Sequence, residues 1–206
     1  MENGLDIIFQ VIILVLSVVI HEVTHGHVAN ILGDPTAKIA GRLSLNPLKH
    51  LDLLGSFIVP LLTSLTGMTF GWAKPVPVNP YNLRGGQKGE AIVAAAGPLS
   101  NLLIAIIFGL LIRFGAENIF FTAALLRIMV YIILINIVLF VFNLMPVPPL
   151  DGSKVLFAAL PPRFSRIEYW AQRNSLILLI VFIFFLWQYF EPVVESLFLL
   201  ITGGSV

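Results

Sequence analysis

IIFQVIILVLSVVI, residues 7–20, runs directly into His21-Glu22-Val23-Thr24-His25. Only Gln10 and Ser17 break the apolar run. On a helix, residues four apart sit about 40° apart around the axis, so His21 and His25 project from one face on successive turns. Two imidazoles so placed can take two corners of a tetrahedral zinc site, with Glu22 to the side, where it can reach a water at the metal. An H-E-x-x-H match also arises by chance, but this one lies inside a membrane-length apolar segment. Charged groups there cost roughly 2.5–3.5 kcal/mol each. Three ionisable residues on a turn and a half therefore point to function more strongly than to a polar cluster that glues helices together.

Composition agrees with a membrane location. The chain has 206 residues, 58% hydrophobic and 11% charged, with a mean hydropathy of +0.96. Soluble domains carry about 25% charged residues, so the expected class is an all-α polytopic membrane protein, one domain over residues 1–206. A net charge of +1 without a dense basic cluster gives no reason to expect nucleic acid. The absence of cysteine excludes disulfides, thiolate ligands and a cysteine nucleophile. Glu2 and Asp6 stand where a cleavable signal would be basic. No internal repeat and no polar stretch long enough for a soluble appendage is present.

Outward from the H-E-x-x-H stretch, the first span is expected over 5–32, ended by Gly33-Asp34-Pro35. His21 then lies roughly 21 Å along from Ile7, inside a hydrocarbon core about 30 Å thick. Partial period-two alternation over 39–45 predicts a short interfacial strand before the Asn46-Pro47 turn. His50 and Asp52 read as an interfacial polar pair rather than as ligands. Residues 51–73 are apolar but interrupted by Gly55, Pro60 and Gly67, and three prolines follow within 75–80. They read as a re-entrant segment shielded by protein. Further spans are expected over 91–112, through residue 142, and over 176–190, where Glu191-Pro192 interrupts before an apolar tail. Gly97-Pro98 suggests a packing kink, and Asn136 an interhelical hydrogen bond. The count is about four transmembrane helices plus the re-entrant segment and short interfacial strands.

Ten of the twelve Lys and Arg residues fall in 33–90 and 153–175, leaving Arg113 and Arg127. The basic side is cytoplasmic by the positive-inside rule, which places both termini outside. The segments with His21, Gly97 and Asp151 all fall toward the cytoplasmic face, although the chemistry was not used to orient the chain.

A zinc hydrolase site needs a third protein ligand and an open fourth position. No Glu occurs between Glu22 and Glu90, and Val28 stands where the longer H-E-x-x-H-x-x-G pattern needs glycine. Asp34 and Asp52 lie in loops and Glu90 precedes its span. Asp151 follows a proline-broken helix end that can dip into the protein, and is favoured.

His21-Glu22-x-x-His25, Gly97-Pro98-x-x-Asn101 and Asn143-x-x-Pro146-x-Pro148-x-Leu150-Asp151-Gly152 resemble, in order and spacing, the three signature motifs of the site-2 protease family of intramembrane zinc metalloproteases. Gly41-Arg42-Leu43-x-Leu45-Asn46-Pro47 and Gly71-Trp72-Ala73-Lys74-Pro75-Val76-Pro77 resemble a compact branch of it, and the sequence shows no PDZ insertion, CBS domain or extra span before the zinc helix. The resemblance implies one Zn2+ per chain bound by His21, His25 and Asp151, with Glu22 as general base. It also implies a cytoplasm-facing site in a prokaryotic plasma membrane and a transmembrane protein substrate met within the lipid bilayer. His27 lies about 200° around the helix from His25 and is left out of the site. Asn143, and with it Asn101, is a candidate for holding the substrate backbone or the oxyanion, although an Asn at a helix end is as often a cap. The proline-rich stretch 74–80 offers either an extended edge for an unwound substrate or a rigid surface loop. The rival readings are a zinc-binding membrane transporter or sensor without hydrolysis, which would not need Glu22, and an inactive relative that only binds membrane proteins.

Overall fold

The computed structural model describes residues 4–50, 74–115 and 122–204. Four helical segments are long and apolar enough to cross a membrane: α1 (Gly4–Ile31), α3 (Gln87–Gly115), α4 (Ala123–Asn143) and the composite segment Ser175–Thr202. Between them lie α2 (Thr36–Ile39), α5 (Asp151–Ala159) and α6 (Ser165–Arg173). This is the architecture of an integral membrane protein, all-helical among the described residues.

Hydrophobicity alone does not hold these helices together in lipid, since one apolar face is as well solvated by acyl chains as by another helix. The outward face of α1, with Leu5, Ile8, Val11 and Ile12, is exposed, as suits contact with lipid. The inward face buries Ser17, His21, His25 and Gly26 instead. The central element is α3, which packs against α1, α4, α5 and the last helix, α8 (Glu191–Thr202). Ala105 and Ile112 of α3 meet Met129, Ile133 and Ile137 of α4 and Ile201 of α8 in one buried cluster.

The last span departs from expectation. A new helix does begin at the expected break, Glu191-Pro192, with Pro192 in the first turn of α8, where its missing N–H has no intrahelical partner to lose, but the helical path runs on to Thr202. The irregularity lies upstream. α7 (Ser175–Val181) passes through a π turn, Phe182–Leu186, and a 3-10 turn, Trp187–Phe190, before α8 begins. Gln188 Nε2 donates to the Phe185 carbonyl at 3.2 Å, satisfying an acceptor in that stretch. The altered winding turns Phe182 and Trp187 onto Phe142, with ring centroids 5.8 and 5.5 Å apart. The same cluster covers Leu150, the residue before Asp151.

The strand expected over 39–45 is also corrected: no strand is present among the described residues. Ile39 closes α2. Beyond it the backbone finds other partners, with Arg42 N–H donating to Ala37 O at 3.0 Å and Ser44 O accepting from His50 Nε2 at 2.8 Å. His50 is thereby a buried structural residue. The re-entrant segment 51–73, with Asp52, lies outside the described residues.

Asp34, one of the acidic residues weighed as a ligand, is fully buried and anchors loops. Its carboxylate accepts from Thr36 N–H and Oγ1, from Asn79 N–H at 2.7 Å and from Asn82 Nδ2 at 2.9 Å. Burial by itself raises its pKa, but these hydrogen bonds outweigh it and hold the carboxyl below the usual range.

Candidate metal centre

The site is assembled on one face of α3. Val93, Gly97 and Asn101 recur at four-residue spacing, so they line up along the helix beside α1. His25 Nδ1 donates to Val93 O at 2.7 Å. His21 Nδ1 lies 2.6 Å from Asn101 Oδ1. Between those two anchors the imidazole rings press on Gly97. A methyl built there would lie 2.3 Å from His25 Nε2 and 2.6 Å from His21 Nε2. Glycine is required because the two histidines occupy the space that any side chain would fill.

With both Nδ1 atoms turned to anchors, both Nε2 atoms turn inward. They are 3.0 Å apart, and each is 3.1 Å from Asp151 Oδ2. Asp151 arrives from the other direction. α4 ends at Asn143, the proline-rich turn follows, and Asp151 opens α5, where a carboxylate is favoured by the helix dipole. Gly152 allows this approach, since a Cβ there would sit 2.0 Å from Leu144 O.

The donor set fits zinc. Zn–N and Zn–O bonds of about 2.0–2.2 Å imply a tetrahedral edge of about 3.3–3.6 Å, and the three ligand atoms form a slightly smaller triangle with sides of 3.0–3.1 Å. A carbonyl acceptor fixes His25 as its Nδ1–H form, so its Nε2 offers a lone pair to this space. Lone pairs converging in a buried site call for a cation. Among the described residues, this is the group of His, Asp and Glu side chains placed to hold a metal.

Glu22 stands next to His21 and its Oε2 accepts from Val76 N–H at 2.8 Å. Val76 belongs to an extended strap, residues 74–79, pinned by Lys74 N–H to His50 O at 2.9 Å and by Asn79 N–H to Asp34. The strap therefore lies directly against the candidate base.

Of the residues singled out from the sequence, His21, His25 and Asp151 come together, with Asn101 behind His21. Asn101 is fully buried and its amide is engaged by His21, Asn136 and the Ser17 carbonyl. Asn143 Nδ2 donates back to Leu139 O at 2.9 Å, outside the hydrogen-bond set of the triad. His27 turns its ring to Val23 O, on its own helix. Ser17, Val93 and the role of Gly97 between the rings emerge only from the packing. The spacing of 93, 97 and 101 and of 17, 21 and 25 was the available signal.

Comparison with known proteins agrees with this chemistry. Residues 116–187 match the model of "Peptidase family M50". The chain is 41% identical over 159 residues to a Bacillus subtilis protein described as "Putative zinc metalloprotease YwhC", covering 75% of this chain and 70% of that one. It is 29% identical over 170 residues to a Mycolicibacterium smegmatis protein and 26% identical over 166 residues to a Mycobacterium tuberculosis protein, both described as "Putative zinc metalloprotease Rip2". Those alignments cover 81% of this chain and 62% of each mycobacterial protein. No solved structure matches.

Proposed function

The chain belongs to peptidase family M50, the site-2 proteases, which are zinc metalloproteases, and from that premise we propose that it is an intramembrane endopeptidase. It cleaves membrane-anchored protein substrates within or near their transmembrane helix, with residues 1–206 acting as one domain of a prokaryotic plasma-membrane protein and the site facing the cytoplasm. The observation that carries this reading is the convergence of His21 Nε2, His25 Nε2 and Asp151 Oδ2 beside Glu22, inside a membrane-spanning bundle.

His21, His25 and Asp151 are the proposed ligands. What zinc supplies when bound is Lewis acidity, which polarises a carbonyl and lowers the pKa of a water to about 7. Glu22 would be the group that takes a proton from the attacking water and delivers it to the leaving amine. The Val76 N–H holds the Glu22 carboxylate in place through its 2.8 Å bond. A substrate helix hides its carbonyls in its own hydrogen bonds and has to unwind before attack. The extended strap 74–79 touches Glu22 through Val76, and an extended backbone there would be suited to pairing with an unwound segment. Asn143, at the end of α4, is the remaining candidate for contact with substrate, and would have to give up its bond to Leu139 O.

The test is Glu22→Gln, which keeps size and removes the base. It should retain zinc and lose about 10²–10⁴-fold in cleavage of a panel of membrane-helix substrates. Wild-type protein that moves zinc across vesicles and cuts none of the panel, with Glu22→Gln behaving identically, would establish transport instead.

A further inference from the structure

Behind His21 runs a buried polar chain that crosses three membrane helices. His21 Nδ1 on α1 lies 2.6 Å from Asn101 Oδ1 on α3. Asn101 Nδ2 donates to Asn136 Oδ1 on α4 at 2.8 Å. Asn136 Nδ2 then donates to Ile132 O at 2.8 Å and to Ser17 Oγ, back on α1, at 2.9 Å. Ser17, Asn101 and Asn136 are 4%, 0% and 0% exposed, so water does not compete.

The direction of this chain is forced at its far end. Ile132 O is a backbone carbonyl and can only accept, so the NH2 of Asn136 has to face it. That turns Asn136 Oδ1 to Asn101, which turns the Asn101 NH2 toward Asn136 and Asn101 Oδ1 toward His21. His21 Nδ1 then has to carry the proton, and Nε2 the lone pair. A longer contact from Asn101 Nδ2 to Ser17 O, 3.4 Å, acts in the same sense.

We propose that Asn136 is a positioning residue for the metal centre: by directing the Asn101 amide, it holds His21 in the tautomer whose Nε2 can bind zinc. This rests on His21 being a ligand, as proposed above. An outer partner that fixes a ligand histidine contributes about 10–100-fold in metal affinity. In a helix bundle the same bonds would also act as glue between helices, so the experiment separates direction from glue.

Asn136→Leu removes the director at similar volume. Zinc affinity, read by chelator competition on the detergent-solubilised protein, should fall about 10–100-fold. The same substitution is then made beside Asn101→Asp. A carboxylate has acceptors on both oxygens and faces His21 Nδ1–H correctly without direction. In that background Asn136→Leu should change zinc affinity by no more than about twofold. An equal loss in both backgrounds, or none in the first, overturns the proposal.

A second readout does not depend on Asn136→Leu. In zinc-free wild-type protein, 15N shifts should show His21 protonated at Nδ1. The chain has four histidines, and a spectrum of His21→Ala identifies the signal. An Nδ1 without its proton refutes the proposal even if Asn136→Leu does not fold. Full zinc affinity in His21→Ala would instead remove the ligand assignment beneath it, a distinct outcome from unchanged affinity in Asn136→Leu.

Discussion

Gly97→Ala should strip zinc from the protein while leaving it folded. The added methyl would sit 2.3 Å from His25 Nε2 and 2.6 Å from His21 Nε2. Non-bonded heavy atoms settle at about 3.5 Å, so the rings and α3 have to part by about 1 Å. Neither ring is free to retreat. His25 is tied to Val93 O at 2.7 Å and His21 to Asn101 Oδ1 at 2.6 Å, and both anchors are on the helix that carries the methyl. Ligand atoms of a working site stand within about 0.2 Å of ideal, so the displacement is several times the tolerance. Overpacking costs about 1–3 kcal/mol in stability. The loss of zinc affinity should exceed the roughly 100-fold that removal of an outer partner can cause. Zinc per chain, chelator competition and thermal melting would be compared with Leu99→Ala, which changes an exposed residue two positions along α3. Wild-type zinc affinity in a folded Gly97→Ala protein would refute the arrangement of α1 against α3.

Other consequences follow from the same geometry. Purified protein should hold one zinc per chain, His21→Ala, His25→Ala and Asp151→Ala should each weaken it, and His27→Ala should leave zinc content near wild type by elemental analysis. Asp34 has its folded pKa below the unfolded value, so its contribution is present above the unfolded pKa of about 3.9 and is lost as pH falls through the folded one. Melting temperature should therefore drop in acid, and Asp34→Asn should lower it near neutral pH and flatten the acid drop. Asp34→Ala, which leaves the part-buried Asn79 and Thr36 N–H groups without their acceptor, should cost about 1–2 kcal/mol. Single cysteines, clean to introduce because the chain has none, should label from the cytoplasm at positions 84 and 166 and from outside at 122. Labelling of 84 from outside would overturn the topology.

What the sequence by itself determined is what depends on neighbours along the chain. Apolar runs long enough to span the bilayer placed α1, α3 and the end of α4 within a few residues of where they are observed, because burial in lipid acts on composition and length. The four-residue spacing of His21 and His25 put them on one face, because helix geometry is local. Asp151 could be favoured as the third member of the cluster from a short inventory, since few acidic residues reach membrane depth. The tertiary structure decided the rest. Gly97 is needed where it is because two rings from another helix fill its side-chain space. The Asn101 carbonyl oxygen is taken by His21, 80 positions away in the chain, a contact that no local pattern announces. The expected strand at 39–45 is absent among the described residues because a strand requires a ladder partner, which no single stretch specifies. Pro192, read as a break, does open a new helix, but only the tertiary structure shows the helical path continuing beyond it and the stretch at 182–190 packing aromatic side chains against α4 and Leu150. In each case the deciding contact joins residues far apart in the chain, and local periodicity and composition carry no record of it.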